Sequence, residues 1–87
     1  MRTIKELLIL LREEMVKQFH PISDGCICYV LANMRGNNMI SPEEYKETEN
    51  YLEMQRPNDR PAFWWPYGEL APRLEFLDKL IAEIDEN

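Results

Sequence analysis

Hydrophobic residues recur along this chain at helical spacing in four places, with polar residues between them. The first run opens at Thr3, with Glu6 three residues on, the reciprocal pair that starts a helix. Ile4, Leu7, Leu8, Leu11, Met15 and Phe19 then fall on one apolar face, which Ile9, Leu10 and Val16 widen. Pro21 restricts the residue before it, so this helix is expected to stop near His20.

A second run follows Ser23-Asp24, either of which caps a helix start, and passes through Cys26, Ile27, Tyr29, Val30, Leu31 and Met34. It is apolar nearly all round, which fits either a buried strand or a buried helix. The capping residues and Gly36, a natural left-handed end, favour the central helix. The third run has the clearest start. Ser41 is the cap, Pro42 takes the first helical position, Glu44 completes a capping box, and Ile40 and Tyr45 are placed for a hydrophobic staple. Tyr45, Thr48 and Leu52 share a face with Tyr51 beside it, while Glu43, Glu44, Glu47, Glu49 and Glu53 make the other side strongly negative, and Arg56-Pro57 ends the helix. The fourth run has Pro72 in its first turn and an apolar face of Leu74, Leu77, Leu80, Ile81 and Ile84.

Between the third and fourth runs, residues 57–71 read as the one long irregular stretch. Pro61, Pro66 and Pro72 forbid a regular helix through it and disfavour a central strand. The expected fold is therefore all-α: a single four-helix domain over residues 1–87, with a Pro/aromatic-rich loop packed across the bundle.

Composition narrows the function. Hydrophobic residues at 45% and charged residues at 30% describe a folded globule, and 87 residues leave no room for a second core. The formal charge of −6 argues against a binder of duplex nucleic acid. It is unevenly spread: residues 56–73 carry Arg56, Arg60 and Arg73 against Asp59 and Glu69. No apolar run approaches the roughly 18 residues of a membrane span, so a cytoplasmic protein is expected. Cys26 and Cys28 stand too close on a helix to pair without strain, and with His20 as the one histidine no metal site is expected. His20 at a helix end, Cys26 among apolar neighbours, and the lack of a phosphate-binding or nucleophile motif predict no catalytic residue and no cofactor. Surplus apolar side chains on the first two helices predict a homo-oligomer.

The remaining candidate is PAFWWPYG, residues 61–68, with four aromatic rings, two prolines and a glycine. One reading makes it a plug for an open end of the bundle. Trp64 and Trp65, however, are adjacent in an extended segment and point to opposite sides, so burying both in so small a domain is difficult. Exposed aromatics beside arginines form binding hot spots, and they suit a planar anionic ligand whose base stacks on a ring while a guanidinium takes the phosphate. The candidate ligand-binding residues are Arg56, Arg60, Trp64, Trp65, Tyr67 and Arg73.

The stretches GCICYVLANM, ISPEEYKETENYL and RPNDRPAFWWPYGELAPRLEFLDKLI resemble small helical proteins encoded by bacteriophages. Their ending has the form Trp-Trp-Pro-x-Gly-x-x-x-Pro-Arg-x-x-x-Leu. The resemblance covers residues 25–81 and is more specific in its second half. It implies a phage accessory protein that counters host defence, either by sequestering a nucleotide-type immune signal or by blocking a host defence protein. The surface expected for such blocking is the acidic side of the third run or the aromatic stretch. The resemblance carries over no functional residue.

Overall fold

A computed structural model describes residues 1–18, 27–55 and 70–85. They form four helices: α1 (Ile4–Gln18), α2 (Ile27–Gly36), α3 (Pro42–Met54) and α4 (Leu70–Asp85). No strand occurs among the described residues, so the all-α fold is as the periodicity predicts. Phe19, His20, Cys26 and the stretch around PAFWWPYG, with its expected packing across the bundle, lie outside the described residues.

The start of α1 is the expected reciprocal cap. Thr3 N–H donates to Glu6 Oε1 at 2.9 Å, and Glu6 N–H donates to Thr3 Oγ1 at 3.2 Å. This exchange holds the Glu6 carboxyl below its usual range, chiefly through the Thr3 backbone N–H. Leu7, Leu8, Leu11 and Met15 are buried, and α1 packs against all three other helices. Each fully buried Leu contributes roughly 1.5–3 kcal/mol by leaving water, which makes α1 the spine of the domain.

α2 buries Ile27, Val30, Leu31 and Met34, but Tyr29 is 57% exposed. The helix is therefore not buried all round: its composition hid an outer face because tyrosine tolerates water through its hydroxyl. Its ending also differs from expectation. Gly36 is its last helical residue, and the left-handed residue is Asn38, at φ 61°. Met39 N–H donates to Met34 O at 2.9 Å and Asn38 N–H to Arg35 O at 3.0 Å, the paired bonds of a Schellman ending. Asparagine enters the left-handed region more readily than most residues, and the turn brings Met39 onto the core.

α3 starts as expected. Ser41 N–H donates to Glu44 Oε1 at 2.9 Å, and Glu44 N–H donates to Ser41 Oγ at 3.0 Å. Ile40 is buried before the cap and Tyr45 packs against the core after it. Glu44, Thr48 and Leu52 face inward, so Glu44 does not belong to the solvated acidic side where the sequence pattern put it. Thr48 spends its hydroxyl on Glu44 O at 2.7 Å, which leaves no buried donor unmet there. α3 ends at Met54, with Gln55 as its C-cap.

α4 packs on α1 through Leu77 and Leu80, with Leu74, Phe76, Ile81 and Ile84 half-buried around them. Arg12 and Asp78 join these two helices at the surface, Arg12 Nε lying 2.6 Å from Asp78 Oδ1. α2 and α3 also pack on each other.

Candidate functional site

Of the six residues predicted to bind a ligand, Arg56, Arg60, Trp64, Trp65 and Tyr67 lie outside the described residues. Arg73 is the fourth residue of α4, at the end of its first turn. The helices on either side of the stretch are set: α3 closes at Gln55, and α4 begins at Leu70. Residues 70 and 71, expected to be irregular, are therefore helical, and Pro72 is the third residue of the helix, where its missing N–H costs no intrahelical bond.

Among the described residues, the concave surface concentrates where α2 turns into α3. Two shallow depressions of about 350 and 390 Å³ share Asn38, Ile40 and Pro42. The first also has Arg35 on its wall, and the second Arg2, Ser41 and Glu44. Both arginines are already engaged with α3. The Arg35 guanidinium lies 5.2 Å from the Tyr45 ring centre, a cation–π distance. Arg2 donates from its backbone N–H to Glu44 Oε2 at 3.0 Å and from Nη1 to Glu44 Oε1 at 3.0 Å.

Glu44 thus answers to two segments at once. The Ser41 N–H is the largest influence on its carboxyl and the Arg2 N–H the next; together with the Arg2 guanidinium they outweigh burial and hold it at about 2. The positive end of α3 already has its anion, and that anion already has its counter-ion. This corner is a structural clasp built from the protein's own groups, and sequence periodicity missed it because Arg2 precedes any helix.

The outer side of α3 remains acidic after Glu44 is removed from it. Glu43 and Glu53 are exposed, Glu47 and Glu49 half-buried at the flanks, and Lys46 lies between them. Apolar exposure is found at Ile9 and Val16 of α1, Tyr29 of α2 and Met54 at the end of α3. No group of three or more His, Cys, Asp or Glu side chains able to hold a metal ion occurs among the described residues. No helix among them is long and apolar enough to cross a membrane.

Compared with protein-family models, curated proteins and solved structures, the chain matches none.

Proposed function

We propose that this is a phage-encoded, non-enzymatic protein that binds and sequesters a small nucleotide-type signal of host defence. The observation that carries the reading is the position of Arg73. It stands in the first turn of a helix docked on the core, five residues after the end of the aromatic stretch in sequence. A cation there is unfavourable against the helix dipole, and a bound anion removes that penalty. In this reading Trp64, Trp65 and Tyr67 stack on the base, while Arg56, Arg60 and Arg73 take the phosphate. Inhibition then follows from mass action alone, since every captured signal molecule is withdrawn from its receptor. Thermal unfolding in the presence of cyclic and linear nucleotides tests it. A tight ligand raises the melting temperature, by about 2.7 kcal/mol of added stability at a hundredfold excess over Kd. No shift with any nucleotide removes this reading.

A second reading is a protein inhibitor that docks a basic surface of a host defence protein on the outer side of α3. It is favoured by the division of that helix, with Glu44, Thr48 and Leu52 inward and Glu43 and Glu53 outward. Charge complementarity of this kind speeds encounter and selects partners. Reversing Glu43, Glu47 and Glu53 to Lys should then abolish phage protection while the fold persists; unchanged protection removes it.

A further inference from the structure

α1 carries a second apolar line on the side away from the core. Ile9 and Val16 are 37% and 49% exposed and stand seven residues apart, two turns along one stripe. At about 100° per residue, Lys5 and Arg12 fall along one flank of that stripe and Glu6 and Glu13 along the other, where Lys17 at the far end is paired within its own helix to Glu14 Oε2 at 3.3 Å. Beside Ile9 lies a depression of about 280 Å³ bounded by Arg2, Glu6, Ile9, Leu10 and Glu13. Four of these have the spacing i, i+3, i+4 and i+7, which is the four-residue hole that receives a side chain from a facing helix.

We propose that this face joins two copies of the chain, with their α1 helices side by side and parallel. The charge pattern selects both the occupant and the direction. A twofold axis along α1 turns the Lys5/Arg12 flank of each copy toward the Glu6/Glu13 flank of the other, and stacks Ile9 on Ile9 and Val16 on Val16. An antiparallel pair sets Arg12 against Arg12 and Glu13 against Glu13, and like charges directly opposed disfavour it. Arg12 can serve both neighbours. It bonds Asp78 through Nε and Nη2 at 2.6 and 3.4 Å, and a guanidinium has five N–H donors. One face of a 15-residue helix buries less than the roughly 1,600 Å² of a standard interface, so the dimer is weak and concentration-dependent. The inference is independent of which ligand or host protein the domain binds.

Sedimentation velocity over a wide concentration range tests it. The mass of the full chain should rise from 10.4 kDa toward twice that value. Glu13→Lys and Ile9→Asp should each weaken dimerisation about tenfold or more, with unchanged helicity by circular dichroism. Glu13 is an exposed charge, so its variant keeps the test valid if Ile9→Asp does not fold. Under mild oxidation Val16→Cys should link position 16 to position 16, identified by peptide mapping apart from any link through Cys26 or Cys28. The proposal is overturned by a mass that stays at 10.4 kDa, by a dimer that ignores both substitutions, or by mixed Ile9→Cys and Val16→Cys chains linking 9 to 16 in preference to 16 to 16.

Discussion

Arg2 and Glu44 are 42 residues apart and share two bonds at 3.0 Å, one from the Arg2 backbone N–H and one from its guanidinium. The pair ties the segment before α1 to the first turn of α3, and Glu44 is buried beneath it. Because the folded carboxyl sits at about 2, below its ordinary 4.5, its contribution is fully present above about pH 4.5 and is lost as pH falls through about 2. Urea midpoints should therefore drop across that window, and Glu44→Gln should have a shallower acid slope than the parent chain. Equal slopes would remove Glu44 from the account of acid unfolding.

The two helix caps should not be equal. Ser41→Ala is expected to cost about 1 kcal/mol, within the usual range for a cap, because it leaves the Glu44 N–H without its acceptor beside a buried carboxylate. Thr3→Ala opens a cap exposed to water, which can replace the lost bond, so its cost should be smaller. Chemical denaturation of both variants checks the order.

Asn38 holds the turn between α2 and α3 in the left-handed region. Asn38→Val should destabilise by about 1–2 kcal/mol, since a β-branched side chain clashes with its own backbone there. Asn38→Gly should stay within about 0.5 kcal/mol of the parent, as strain relief offsets the greater freedom of the unfolded chain. A large loss with glycine would mean that the Asn38 side chain, and not its backbone angle, holds the turn.

The arginines separate ligand binding from packing better than the tryptophans do. If the proposed nucleotide reading holds, Arg56→Ala, Arg60→Ala and Arg73→Ala should each abolish nucleotide binding and phage protection while leaving the melting temperature nearly unchanged, as charge changes that break no packing usually stay within about 0.5 kcal/mol. Replacing either Trp with Ala confounds the two, because truncating a buried Trp costs about 3–5 kcal/mol. Full protection with all three arginine variants would leave the aromatic stretch without an anion-binding role.

Local rules were enough to locate the helices. Thr3 with Glu6, and Ser41 with Pro42 and Glu44, mark the capped starts of α1 and α3, because those bonds form between residues three apart. The inward faces of α1 and α4 follow from spacing, since 3.6 residues per turn orders side chains around the axis before any packing occurs. Packing settled what spacing could not. Glu44 shares its face with Thr48 and Leu52 by spacing alone, four and eight residues before them, but what satisfies a carboxylate buried there is the arrival of Arg2 from 42 residues away. Gly36 had the better intrinsic claim to the left-handed turn, but Asn38 took it, two positions on, where the turn also brings Met39 to the core. Both outcomes depend on which surfaces meet across the fold, and a free energy of contact between distant segments has no local signature in the chain.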